Sequence, residues 1–531
     1  MSRRAWLTHI FILLLIGLCI RSFFFFHRHT LTKGMLIQMW PDHLVQLGQI
    51  RTHTADTAAL ILHSNSFLAY INPDFPTYIT PRVEMIKCLH EKKKLTDRVE
   101  CIIYWLSSYR KPLYGLLSKI SAIIYDTYSQ NCIITKNCQY WKTHNITSKD
   151  ILILIQILFS ILSSLLVAII VFYITKSQIT MYVSYILYQL FWFVIRYDYL
   201  TGTESLNTSL MIIASYFLTK TFLYRSPKYA LLAGLFLLGC YLLRPLSIVL
   251  YPIWIIALIY QSQYFQNAPI NSSIMPSFIK ELAYRYKSMT TKIILSFMLI
   301  SFLYITIESV ALTISNGKLT LISRNTFYGG EEQVEYGSLF LFSSAYGDNW
   351  TWFYHSSYHI PKRAYVSKYN DSTEKIIIDF YKKLQHRKVI EVFNDWRNTI
   401  KSEKPILYYG TRYLYLTLNF FISHPLEQLY YARAALCEPI YAITYILSAF
   451  LWTFSLGIGF IASIYYLIYW RKHLLLATFS LSAHAAWASY VALSSIQSRY
   501  MLFALPFFFI LSVTFVHQLC CRKSPTVTSS A

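Results

Sequence analysis

Residues 6 to 26 read "WLTHIFILLLIGLCIRSFFFF", an apolar run interrupted once, by Arg21. The hydrocarbon core of a bilayer is about 30 Å thick and takes roughly 20 apolar residues of helix, so this stretch is long enough to cross it. The basic start "MSRR" gives the run the look of a secretory signal. No small-residue cleavage site follows, and the sequence continues into Phe23 to Phe26 and His27, so the segment reads as a retained anchor.

The same reading extends outward. Further spans are expected at about 151–174, 179–196, 205–223, 229–243, 246–261, 293–314, 441–469, 474–492 and 501–519, about ten in all. The composition agrees: 55% of the 531 residues are hydrophobic, 17% aromatic and only 14% charged, which suits a chain dissolved largely in lipid. The expected fold class is an all-α polytopic membrane protein. Three units follow: 1–314 as a transmembrane module, 315–440 as a second long loop, and 441–531 as C-terminal helices with a short tail.

Lysine and arginine collect in short cytoplasmic connections. Arg3 and Arg4, Lys176, Arg225 and Lys228, the cluster Lys280, Arg285, Lys287 and Lys292, Arg471 and Lys472, and Arg522 and Lys523 all fall on one side of the expected topology. Both termini are therefore expected to be cytoplasmic, with residues 27–150 and 315–440 as long extracytoplasmic loops. The formal net charge of +23 reads as attraction to membrane lipid, or to an anionic lipid substrate, with no nucleic-acid partner expected. Cys88, Cys101, Cys132 and Cys138 share the first loop, where two disulfides with three possible pairings are open.

Polar chemistry gathers on the outer face. "HTADTAALILHSNSFLAY" (53–70) is too short and polar to span. Ala55, Ala58, Ala59, Ile61 and Leu62 share one helical side, which fits a helix lying in the interface with Asp56 at the surface. The plainer role of Asp56 is a helix-start carboxylate, stabilising by only a fraction of about 1 kcal/mol. In "SSYRKPLYGLLSKISAIIYD" (107–126), Pro112 suits a first helical turn and Leu113, Leu116, Leu117, Ile120, Ile123 and Ile124 follow helical spacing, giving a second amphipathic helix. Arg110 beside that helix start makes an anion site.

"RYDYLTGTESLNTSLMII" (196–213) brings Glu204 to the mouth of the fourth span, where helix capping is its simpler role. Arg244 in "LLGCYLLRPLSIVLYP" (237–252) sits between two apolar runs and is expensive there without a partner. "SSIQSRYMLFALP" (494–506) adds Arg499 and Tyr500 just before the last span, and Glu308 near the outer end of the seventh is a further ionisable candidate. In the second loop, "IEVFNDWRNTIKSEKPILYYGTRYLYLTLNFFISHP" (390–425) reads as an amphipathic helix, a breaker, and an interfacial helix returning to the membrane.

In order and spacing these landmarks resemble the integral-membrane glycosyltransferases of the GT-C class. The likeness is to the bacterial branch related to protein O-mannosyltransferases and to the aminoarabinose transferases of lipid A. The motifs that carry it are "ADTAALILHSNSFLAY", "YRKPLYGLL", "TESL", "LLRP", "RN" before "YGSLFLFSSAYGDN", and "SRYMLFALP". The chain departs from the pattern in a longer, charged, Cys-containing insertion between Asp56 and Arg110 and in Lys111. The resemblance implies a sugar donor on a polyprenyl phosphate and a lipid, glycan or protein acceptor. It implies Asp56 as general base, with Glu204 orienting the acceptor or sharing that role. Arg110, Arg244 and Arg499 would contact phosphate and pyranose, and Tyr114 and Tyr500 would pack on donor or sugar. No cofactor is required, although the two acids leave a divalent metal open. The expected place is a bacterial inner membrane with the site outward, or the endoplasmic reticulum membrane in a eukaryote.

Two other classes fit less of the chain. An O-antigen ligase or polysaccharide polymerase would use His355, His359 and Arg363, leaving the first-loop acid and "YRKPLY" unexplained. A lipid or sugar transporter would place its polar groups near the bilayer midplane, whereas here they gather at one interface.

Overall fold

The computed structural model describes residues 3–39, 148–199, 203–266, 277–316, 365–370, 386–411, 438–493 and 498–522, with a few single positions between them. These residues are overwhelmingly helical. In chain order the helices are α1 Arg3–Met39, α2 Ser148–Thr175, α3 Gln178–Gln189, α4 Trp192–Ile195, α5 Thr203–Tyr224, α6 Pro227–Leu243 and α7 Leu250–Gln266. They continue with α8 Ser277–Asn316, α9 His386–Glu403, α10 Pro439–Thr453, α11 Gly459–Ile468, α12 Leu474–Leu493 and α13 Leu505–Arg522. Among the described residues there is no strand, only an isolated bridge between Val366 and Tyr369.

Four helical stretches are long and apolar enough to cross a bilayer: Arg4–His27, Ile151–Thr175, Met289–Val310 and Pro439–Ile468. A fifth is the pair Gln178–Gln189 and Trp192–Asp198, bent by 54° at its break. At that break the amide of Phe193 donates to Ser448 Oγ at 3.0 Å, so a neighbouring helix satisfies a donor that an unbroken helix would have used itself. Shorter apolar helices cover Pro227–Leu243, Ser247–Gln261, Leu474–Ser489 and Leu505–Cys521.

Two antiparallel hairpins organise the bundle, and both turn on a basic residue. Lys176 (φ 59°) ends α2 and Arg225 (φ 50°) ends α5, each in the left-handed region. Their amides close the preceding helices onto Phe172 O and Thr221 O, both at 2.8 Å. Left-handed backbone costs a non-glycine residue roughly 1 kcal/mol, and here it reverses the chain at once. A serine follows each: Ser177 Oγ accepts from the Thr180 amide at 3.2 Å, and Ser226 precedes Pro227 at the first position of α6.

Helix α5 packs against α6 and α2, and α6 packs against α8. Helices α11, α12 and α13 close the opposite side around a core that includes fully buried Tyr188, Trp254, Phe479 and Phe509. Arg244 stands before Pro245, which disfavours helical backbone, so α6 stops there with Arg244 extended (φ −142°, ψ 114°). The stretch Pro245–Val249 is a 3₁₀ turn, so the helix begins at Leu250 rather than at the expected 246. Ser498–Phe503 is likewise 3₁₀, and the last helix starts at Leu505 rather than 501. The amphipathic helix expected in the second loop is present as α9, ending at Glu403 just before Pro405, with Trp396 and Ile400 buried.

Candidate functional site

Helix α5 starts where two ion pairs meet. Glu204, in its first turn, is paired with Arg244 at 2.5 Å (Oε1 to Nη2), the two side chains 9% and 19% exposed. The hairpin explains the meeting: Glu204 lies 21 residues before the turn residue Arg225 and Arg244 lies 19 after it, so an antiparallel pair brings them level. A carboxylate at a helix N-terminus is placed well for the dipole, and the guanidinium, held at the end of α6, donates a charge-assisted hydrogen bond to it.

The second pair is Arg21 with Asp198, at 2.6 Å and about 1–2% exposed on both sides. Arg21 is placed by a close helix crossing. At Gly17 a Cβ would come 2.1 Å from the Tyr185 hydroxyl and 3.1 Å from Gln189 Nε2, so a larger residue there would have to displace the ends of both side chains. One turn on, the Arg21 guanidinium donates to Gln189 Oε1 at 2.6 Å, to Asp198 Oδ2 at 2.6 Å and to Ser160 Oγ at 2.9 Å. Gln156 Nε2 holds the backbone around Asp198, donating to Asp198 O at 3.0 Å. Such multiple satisfaction is what a buried charge requires. The Ser205 hydroxyl donates to Asp198 Oδ1 at 2.5 Å, and because Ser205 follows Glu204, the two pairs share the first turn of α5.

The C-terminal segment reaches the same place. Thr208 Oγ1, one turn beyond Glu204, donates to Glu204 O at 2.9 Å and lies 3.4 Å from Leu502 O, in the 3₁₀ turn that carries Arg499 and Tyr500 in its backbone. Glu308, fully buried in α8, accepts from the Tyr241 hydroxyl at 2.7 Å, three residues before Arg244.

Of the residues singled out in the sequence, Glu204 and Arg244 are in direct contact, and the backbone of Arg499 and Tyr500 lies on a segment that touches the same helix start. Asp56, Arg110 and Tyr114 lie outside the described residues, as do His355, His359, Arg363 and the four loop cysteines. Among the described residues no three His, Cys, Asp or Glu side chains gather as a metal site. Sequence reading noted Arg21 only as an interruption and passed over Asp198. The signal was available in part: an arginine inside an apolar span is expensive without a partner, which applies to Arg21 as it does to Arg244.

Chemically, Glu204 and Arg244 can exchange partners. With Glu204 bound, Arg244 is neutralised; an incoming anion would take over the guanidinium and release the carboxylate to accept a proton or a hydroxyl. The Arg21 network has less freedom, because the Arg21 guanidinium and the Asp198 carboxylate are both buried and each is held by more than one partner. Comparisons with protein-family models, curated proteins and solved structures find no match for this chain.

Proposed function

We propose that the protein is a membrane glycosyltransferase of the GT-C type, with about ten spans, that moves a sugar from a polyprenyl phosphate to a lipid, glycan or protein acceptor on the extracytoplasmic face. The observation that carries the reading is the Glu204–Arg244 pair at the start of α5. It joins two of the motifs on which the resemblance rests, "TESL" and "LLRP", beside the segment holding a third, "SRYMLFALP". In the proposed reaction Asp56 removes the acceptor proton as the acceptor attacks the anomeric carbon. The bond to the lipid phosphate breaks with inversion, and its electron pair leaves on the phosphate oxygen. Arg244 and Arg499 stabilise that charge, while Glu204, displaced from Arg244 by the phosphate, orients the acceptor.

The transporter alternative is disfavoured by the depth of the charges. Arg21 stands 17 residues beyond Arg4 in a span that ends at His27. That is about 26 Å along the helix, in its last third rather than at its centre.

The test compares lipid-linked sugars and envelope glycans by mass spectrometry in cells with and without the gene. One lipid-linked sugar accumulates undelivered if the reading holds. Asp56→Ala is expected to slow transfer by roughly 10²–10⁴-fold and Arg244→Gln by roughly 10²–10³-fold. Retained transfer in Asp56→Ala points to the ligase class, and sugar lipid crossing proteoliposomes without transfer points to the transporter.

A further inference from the structure

At the other end of α5, 16 residues and about 24 Å from Glu204, lies a cluster that the proposed reaction does not use. Lys220 Nζ stands 4.6 Å from the ring centroid of Tyr173, 5.6 Å from that of Tyr216 and 4.8 Å from that of Tyr224. Lys176, at the turn ending α2, brings a second ammonium to the Tyr173 ring at 6.0 Å. Tyr173 and Tyr216 stack at 6.4 Å, which ties the last turns of α2 and α5 together. Two cations thus share one aromatic ring, and among the described residues no ion pair links either of them to a carboxylate.

An anion at this end of α5 would be attracted by both ammoniums. The helix dipole accounts for Lys176 at the end of α2, but Lys220 lies inside α5, a full turn before its end. The tyrosine faces attract the ammoniums, and the hydrogen bonds of Tyr216 with Tyr173 and Lys220 hold the cluster together, leaving ammonium N–H groups to meet a phosphate oxygen. The flanks are apolar and open: Ile179, three residues after Lys176, is 77% exposed, and Leu223, three after Lys220, is 44% exposed. A free phosphate has no use for such flanks, whereas acyl chains do.

We propose that Lys176, Lys220, Tyr173, Tyr216 and Tyr224 form a binding site for the headgroup phosphate of an anionic phospholipid of the surrounding bilayer, on the face opposite the Glu204–Arg244 pair. The lysines supply charge and donors, the tyrosines hold them in place, and Ile179 and Leu223 meet the lipid tails.

The full-length protein, purified in neutral detergent, is titrated with phosphatidylglycerol and examined by native mass spectrometry. Phosphatidylcholine and inorganic phosphate are run as separate probes. Lys176→Asn keeps a residue that tolerates left-handed backbone, and Lys220→Gln keeps helix propensity. Each is expected to weaken phosphatidylglycerol retention about fivefold, and the double variant about twenty-fivefold, with Lys220→Arg near wild type. Equal retention by wild type and double variant overturns the proposal, as does equal retention of phosphatidylcholine. Inorganic phosphate blocking phosphatidylglycerol at comparable concentration also overturns it, reassigning the site to a soluble anion. Should the double variant aggregate, the two single variants decide by the same criterion.

Discussion

Arg21 and Asp198 are 177 residues apart in the chain and 2.6 Å apart in the protein, and both are buried. Replacing one partner leaves the other charged and without compensation, which destabilises more than removing both. Arg21→Ala is expected to lose about 3–5 kcal/mol, while Arg21→Met combined with Asp198→Leu recovers most of it. Thermal denaturation in detergent, followed by size exclusion, measures both; an equal loss in the single and double variants would mean that the pair is not what holds α1 to α3 and α5. Glu204 and Arg244 keep some exposure, so replacing either is expected to cost less in melting than Arg21→Ala does, with its larger effect on the proposed transfer. At this scale the site was only partly legible beforehand. Arg244 was legible because it interrupts an apolar run next to proline. Asp198 was not, since a single aspartate between two tyrosines in "RYDYL" carries no mark of what it faces.

Between elements, contact distance sets what is tolerated. A Cβ on Gly234 would stand 2.0 Å from the Phe297 carbonyl oxygen, so α6 and α8 touch backbone to backbone there, whereas one on Gly457 meets nothing within 4 Å. Gly234→Ala is expected to lower stability by about 1–3 kcal/mol and Gly457→Ala to leave it within about 0.5 kcal/mol, compared by the same thermal assay. The second loop makes a pH prediction. Tyr369 stacks on buried Trp396 at 5.2 Å, and Lys368 and Tyr369 both bond the Asp395 carboxylate. The Lys368 bond and then the Tyr369 bond hold the Asp395 carboxyl below its ordinary 3.8, and the Ser367 hydroxyl and amide hold Glu403 below its ordinary 4.5. A depressed carboxyl stabilises fully above its unfolded value and loses that contribution as pH falls through the folded one. Residues 365–370 are therefore expected to stay fastened to α9 at neutral pH and to loosen only below about pH 4, read as hydrogen exchange corrected for intrinsic rate. Faster exchange already at pH 6 would contradict it. Helix α9 itself was legible from its apolar spacing, but its clasp onto residues 365–370 was not.

For the whole molecule, the proposed even number of spans puts both termini on one side. Cys520 and Cys521 are exposed at the very end of the apolar stretch Leu505–Cys521, and a membrane-impermeant maleimide is expected to label them in intact cells only after permeabilisation. Labelling at these two residues without permeabilisation, located by peptide mass spectrometry, would invert the proposed topology and move the Glu204–Arg244 end to the cytoplasm. The sequence alone determined which segments are helical and apolar, because the length and hydropathy of a span are local properties summed over neighbouring residues. It also located Glu204, Arg244, Arg499 and Tyr500 near helix ends, since a polar residue in an apolar run stands out by itself. Only the tertiary structure decided the partners: Arg21 with Asp198, Glu204 with Arg244, and Lys220 with the ring of Tyr173. A desolvated charge is stabilised by whatever group packing brings within about 3 Å, and packing depends on turns and close crossings at Gly17, Lys176 and Arg225 that no hydropathy pattern encodes.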